Sequence, residues 1–467
     1  MRLNKTLLSL LLAGLVAGPA LAAQPPADLP PYGADKPLPV PAITKTTLSN
    51  GMEVWVVPRE GLPRVDAVLV VRNAGLAADT SPGFAGMLAG TLTEGSARRD
   101  SLAIAQAAQG MGGAVSAFAN NDGIGVSANA LASHAADMIA LLAEVARTPA
   151  FPDGEVALAK GNALQALKAN EAQPGFRAGR AFLPVVFGEH PYARTQSTEA
   201  SITAVTPEQL RAAHAQRFRP DRALLVITGR IGTREAQRLA REAFSDWRAT
   251  GQPLADTPRA RGEAAPQFVL LPRAESVQST VRVGRPALAA DAAEAIPLQL
   301  AGTILGGGMT SRLFQNLRED KGYTYGAYSG VGRFRAGGTV QSSADVRNEV
   351  TGAALTELMG ELRRIGSEPV PAEELEANKR YMVGGYLISN QLQGAVAGTL
   401  AGNWLVGLPS EYLGEFVPKV RAVTAEQLQA AAARWFDPAT QSIIVVGDQA
   451  AIAEQLKPFG QFRVQQD

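Results

Sequence analysis

Three histidines and no cysteine are the whole stock of imidazole and thiolate ligands in this chain of 467 residues. His134, His190 and His214 stand far apart, and no two are four residues apart. A catalytic zinc takes three protein ligands and keeps a fourth position open. None of the three histidines has an acidic partner at ligand spacing, so they read as structural or surface residues, and no metal site is predicted in this chain. A serine nucleophile lacks its motif too, since no G-x-S-x-G occurs.

One stretch does gather chemistry-bearing side chains: "GGGMTSRLFQNLREDKGYTYGAYS", 306–329. Leu313, Phe314 and Leu317 form an apolar stripe that predicts a helix over Met309–Asp320, stopped by Lys321 and Gly322. Arg318 then falls in the last turn and Tyr325 just beyond it. A guanidinium fork and a phenol together can grip a carbonyl that gains negative charge in a transition state. Equally, Arg318 can complement the helix C-terminus, and the tyrosines can be ordinary strand residues. Spacing alone leaves both readings open. The preceding Gly306, Gly307 and Gly308 lack the G-K-[ST] ending of a phosphate loop, which argues against a nucleotide site. A flexible loop beside a binding groove is expected there.

The elements that must position these residues repeat within the chain. "VTPEQLRAAHAQRFRPDRALLVITG" (205–229) matches "VTAEQLQAAAARWFDPATQSIIVVG" (423–447) without a gap. Each copy reads as helix, turn and buried strand. Thr206 with Gln209, and Thr424 with Gln427, have capping-box spacing. A second pair, "PDGEVALAK" (152–160) and "PAEELEANK" (371–379), supports two like halves. The predicted fold class is α+β: two homologous halves, each an antiparallel-rich sheet layered with helices. The halves are placed at 42–247 and 268–467, with a Pro/Gly/Ala-rich linker at 248–267. "EVWVVPR" (53–59) and "DAVLVVRN" (66–73) read as adjacent strands. "GAVSAFANND" and "GIGVSANAL" read as a hairpin.

Lys and Arg number 44 against 43 Asp and Glu, so bulk charge argues against a nucleic-acid partner. The first 22 residues carry Arg2 and Lys5, an apolar run from Leu7 to Val16, and Ala20-Leu21-Ala22 as a cleavage site. They read as a secretory signal peptide cut near Ala22, followed by a Pro-rich leader at 23–41. A periplasmic or secreted location is expected, and no run in the mature chain reaches the ~20 apolar residues that span a membrane.

The remaining feature is "PGFAGMLAGT", 82–91, a helical segment with Gly86, Ala89 and Gly90 on one face. Each internal glycine costs a helix about 1 kcal/mol relative to alanine. Together with the two-copy layout, this segment, "LSNGMEVWVV" and "SRLFQNLREDKGYTYG" resemble the insulinase/pitrilysin family of zinc peptidases, which includes mitochondrial processing peptidase and bacterial periplasmic relatives. Active members of that family read G-x-A-H-x-x-E-H where this chain reads Gly83-Phe84-Ala85-Gly86-Met87-Leu88-Ala89-Gly90. The resemblance therefore places Gly86 and Gly90 at the two histidine-ligand positions and Ala89 at the catalytic-glutamate position. The family's third ligand, a glutamate on a later helix, falls near Gln165 or Ala166, with Glu155 and Glu171 lying farther off. Arg318 and Tyr325 match the family's substrate-binding pair.

The resemblance implies a zinc-less subunit that works with a homologous zinc-bearing partner carrying H-x-x-E-H and acts on peptides. Such a chain holds no cofactor of its own and is inactive alone. An alternative is a non-enzymatic scaffold or peptide-binding subunit. By the same analogy, Ala117, Phe118, Ala119 and Asn120 fall in an edge strand that takes up extended peptide, with Gly306–Gly308 as further substrate contacts. A plain hairpin explains the first four residues equally well. The small face at 86, 89 and 90 can also serve close packing of a neighbouring element.

Overall fold

The computed structural model describes residues 40–466. The expected signal peptide and the leader up to Pro39 lie outside the described residues.

Uninterrupted apolar runs form the centres of two six-stranded sheets. The first sheet comprises β1 (Thr44–Thr47), β2 (Glu53–Pro58), β3 (Arg64–Arg72), β4 (Ala114–Ala119), β5 (Gly123–Leu131) and β6 (Ala223–Gly229). Its order is β1-β2-β6-β3-β5-β4. The second comprises β7 (Phe268–Pro272), β8 (Gln278–Ala287), β9 (Thr324–Arg333), β10 (Gly338–Arg347), β11 (Ser442–Gly447) and β12 (Arg463–Val464), in the order β12-β7-β11-β8-β10-β9. Apart from β12, strand matches strand, with β6 and β11 in equivalent places, as the repeat at 205–229 and 423–447 predicts. Only β2/β6, β7/β11 and β7/β12 run parallel, and the other pairs are antiparallel. The α+β layout in two sheet-and-helix halves is therefore observed.

β2 and β3 are not neighbours, against the sequence reading. β6 lies between them, parallel to β2 and antiparallel to β3. Every residue of β6 is buried, so this run is hydrophobic enough to occupy the sheet centre, and it returns from the far end of the half to do so. The β4–β5 hairpin forms as expected. Both capping boxes are present, with Thr206 and Thr424 each accepting from the amide three residues on. The helix expected at Met309–Asp320 begins later, at Arg312, and loosens into a π-helical stretch over Gln315–Asp320. The glycine turn ahead of it takes up the missing residues, and Gly322 stops the helix with φ +63°.

Each sheet packs one face on helices of its own half. Its other face is covered by a helix from the opposite half. The helix Pro174–Phe187 sets Ala178, Phe182, Val185 and Val186 against Val269, Leu271, Ile444 and Val446 of the second sheet. The helix Gln393–Leu405 sets Val396, Leu400 and Trp404 against Trp55, Val68, Val70 and Val226 of the first. The two helices hold corresponding places in the halves, so the exchange is reciprocal. Polar contacts pin it: Thr228 Oγ1 donates to the Gln393 carbonyl at 2.8 Å, and Trp404 Nε1 donates to Glu53 at 3.1 Å. The buried Tyr192 hydroxyl donates to Asp122 in the β4–β5 turn and accepts from the Ala336 amide at 3.0 Å in the β9–β10 turn. Among the described residues, no helix is long and apolar enough to cross a membrane.

Candidate functional site

The segment with the glycines is a helix over Phe84–Thr91. Met87 and Leu88 turn into the first core, while Gly86 and Gly90 face outward into a cleft of about 350 Å³. A Cβ added at either glycine would meet nothing within 4 Å. Close packing therefore does not explain them, which overturns that reading of the small face. Ala89 is buried. Across the cleft stands the helix Asp153–Glu171, presenting Glu155, Leu158, Ala159 and Asn162, with Glu94 at the rim. Gln165 and Ala166 do not line it. Ala166 continues the same helix face one turn beyond Asn162, so distance along the helix keeps it out, while Glu155, which the sequence placed farther off, lines the cleft. Glu171 is engaged elsewhere, with Arg180 at 2.6 Å.

The cleft offers Glu94, Glu155 and Asn162 but no imidazole. Gly86, Ala89 and Gly90 bring no donor atom, so these residues do not fit a catalytic zinc. Burial, and then the nearby Glu155 carboxylate, hold the Glu94 carboxyl above its ordinary value. Among the described residues, no group of three or more His, Asp or Glu side chains could hold a metal ion. His214 and His190 serve the fold, and His134 lies at the surface. His214 stacks on Phe218 and bonds the Ala146 carbonyl at 2.8 Å, His190 bonds the Pro258 carbonyl, and His134 sits by Asp137.

The cleft helix is nonetheless firmly held. Asp79 accepts from the Ala85 amide at 2.8 Å, where a negative charge complements a helix N-terminus. Arg217 pairs with Asp79 at 2.7 Å, and both side chains are buried. Burial pushes the Asp79 carboxyl up, against the pull of Arg217. Nothing in the spacing of Asp79 and Arg217 signals this pair, because they meet only through the fold.

Arg318 and Tyr325 do come together. Arg318 Nη1 donates to the Tyr325 main-chain carbonyl at 2.9 Å, and its guanidinium lies 4.7 Å from the Phe314 ring centre. The link runs through the Tyr325 backbone, and the residue is 85 % exposed. Arg318 thereby ties the π-helical turn to the first residues of β9. Thr324 Oγ1 bonds the carbonyls of Gly326 and Asp345, beside a register shift between Ala344 and Val346. Irregularities of this kind re-aim side chains at sheet edges. The arrangement leaves Tyr325 and part of the Arg318 guanidinium facing water at the end of an edge strand.

β4 is the edge of the first sheet. Phe118 lies over Gly125, Ala117 and Ala119 pack toward the core, and Asn120 Oδ1 accepts from the Asp122 and Gly123 amides. Asn120 Oδ1 thus holds the turn, while the residue itself stays exposed. Gly306 ends the helix Ala295–Gly306, and its added Cβ would fall 2.0 Å from the Ser329 amide nitrogen. Gly306 is therefore a tight joint against β9, because only a residue without Cβ fits that approach, while Gly307 and Gly308 lie in the turn that follows.

Residues 64–194 match the family described as Insulinase (Peptidase family M16), and residues 204–382 match the Peptidase M16 inactive domain. An uncharacterized zinc protease of Mycobacterium leprae is 29 % identical over 307 residues, covering 64 % of this chain and 68 % of the relative. A relative named as a non-peptidase homolog, from Helicobacter pylori, is 21 % identical, covering 81 % of this chain and 88 % of its own. The crystal structure of a peptidase M16 inactive domain from Pseudomonas fluorescens superimposes with a TM-score of 0.80 at 26 % identity, covering 87 % of this chain and 98 % of that one. Matched in both halves and carrying the same architecture, the chain belongs to the insulinase family, peptidase family M16.

Proposed function

We propose that this protein is the non-zinc subunit of a periplasmic heterodimeric metallopeptidase. A homologous partner with H-x-x-E-H supplies the zinc and cleaves the peptide, while Arg318 and Tyr325 contact the substrate. One observation carries this reading: the Arg318–Tyr325 contact stands ordered in the same chain whose cleft helix presents Gly86, Ala89 and Gly90. The support of that helix by the buried Asp79–Arg217 pair favours this reading. Extended peptide would add to the free edge of β4.

The test is to assay peptide cleavage by the purified chain, by its zinc-bearing partner, and by the mixture. The expected outcome is no turnover from this chain alone and strong turnover from the mixture. Turnover by the partner that is indifferent to this chain would refute it. The name of the Helicobacter pylori relative favours a second reading, a non-enzymatic scaffold or peptide-binding subunit. Copurification with a partner lacking any zinc motif would select that one.

A further inference from the structure

Arg282 carries a charge where the fold asks for none. It lies on β8, in register with Ser343 of β10 and Ile444 of β11. Ile444 is buried beneath the helix Pro174–Phe187, and the Arg282 guanidinium lies 5.8 Å from the Phe182 ring centre of that helix. In the first half the equivalent place belongs to Val68. It pairs with Val226 as Arg282 pairs with Ile444, and Val226 and Ile444 correspond in the repeat. Val68 is buried under the helix Gln393–Leu405. An aliphatic side chain therefore suffices there, and the architecture does not require a guanidinium. Burial pulls the Arg282 pKa below the ordinary arginine value, a cost that a partly buried charge carries until it is paired.

Its partners among the described residues fall short of that pairing. Nη1 donates to Gln341 Oε1 at 3.2 Å, Nε is buried with no acceptor, and Nη2 makes no hydrogen bond. Asp345, the acid that acts on it through space, is bonded to Thr280 and forms no ion pair with it. Gln341 and Ser343 share this face of β10, because side chains two apart on a strand point the same way. Gln341 Nε2 and Ser343 Oγ make no hydrogen bond among the described residues. In the first half the serine equivalent to Ser343 is Ser127, and its hydroxyl bonds Ser116 at 2.9 Å. In the second half Tyr328 stands opposite Ser343 and lies over Gly326 instead. Gly330 stands opposite Gln341, and a Cβ added there would meet nothing within 4 Å. Three donors without an acceptor therefore share one sheet face, beside open space.

We propose that Arg282, Gln341 and Ser343 bind a carboxylate of a peptide, either its C-terminus or an acidic side chain. This site rests on the reading of the chain as a peptide-handling subunit. A guanidinium fork matches the two oxygens of a carboxylate. The Gln341 amide and the Ser343 hydroxyl add neutral donors beside it. Asp345 lies on the same face, on the side of Ser343 away from Gln341. The bound carboxylate therefore sits toward Gln341 and Gly330, away from that like charge.

Isothermal titration of the full chain without any partner tests the site, using three short N-acetylated peptides of otherwise neutral sequence. One has a free C-terminus, one is amidated with Glu at its centre, and one is amidated with Gln there. One or both of the first two should bind at least ~10-fold more tightly than the third, the scale of hydrogen bonds to a charged group. Which of them does so names the source of the carboxylate. Arg282→Val, which installs the side chain of the first half, should fold with an unchanged or higher melting temperature and lose that preference. Arg282→Gln, which keeps a polar side chain without the charge, should lose it as well. Equal affinity for the three peptides, no binding by the parent chain, or a preference that survives both substitutions would overturn the site. Cleavage by the mixture with a zinc-bearing partner is a separate readout. A chain that ignores carboxylates yet supports cleavage loses this site and keeps the subunit reading.

Discussion

Gly86 and Gly90 cost their helix conformational entropy without relieving any crowding, since the space beyond them is open. Replacing either with Ala should therefore stabilise the protein by about 0.5–1 kcal/mol, measured as a higher urea midpoint at unchanged slope. A lower midpoint would mean that the cleft is closed in solution. Gly306→Ala should do the reverse, because its Cβ would meet the β9 backbone. Overpacking of that kind costs roughly 1–3 kcal/mol. The two sites look alike in sequence, glycines in or ending a helix, and only their neighbours separate them. The same limit explains the site residues. The contact of Arg318 with the Tyr325 main chain joins two residues of one local segment, whereas Asp79–Arg217 joins residues far apart in the chain.

The helix Pro207–Arg217 is joined to the helix Ala135–Arg147 through His214 and the Ala146 carbonyl. Burial lowers the His214 pKa to about 4, with the Ala146 hydrogen bond acting weakly in the opposite sense. The unfolded chain takes up this proton near the ordinary value of about 6.5. Between the two values the unfolded state binds more protons than the folded one, so stability falls as pH drops from about 6.5 toward 4. Melting temperatures across that window should decline less steeply in His214→Phe than in the parent. Equal slopes would show that His214 is already protonated or is not buried in solution. Element types and caps were legible here, because the capping boxes and the buried strands are local patterns. The insertion of β6 between β2 and β3 was not, since pairing partners are set by which apolar faces meet in three dimensions.

Both faces of β6 and of β11 are apolar, and the sequence shows that much without showing what covers them. The cover is reciprocal, a helix from each half on the sheet of the other. Halves cut at 42–247 and 268–467 and made separately would each leave a sheet face bare. They should aggregate or lack a cooperative melt, and mixing them during refolding should restore one. Independent melting of either half would show that the exchange is dispensable. One frame carries the cleft at Gly86 and Gly90 in one half and the Arg318–Tyr325 contact in the other, and the subunit reading rests on both. The most direct measurement is kcat/KM for peptide cleavage by this protein mixed with its zinc-bearing partner, comparing the parent chain with Arg318→Ala. A fall of about 10²-fold or more is predicted if Arg318 steadies charge on the substrate carbonyl. An unchanged kcat/KM in that variant would contradict the account.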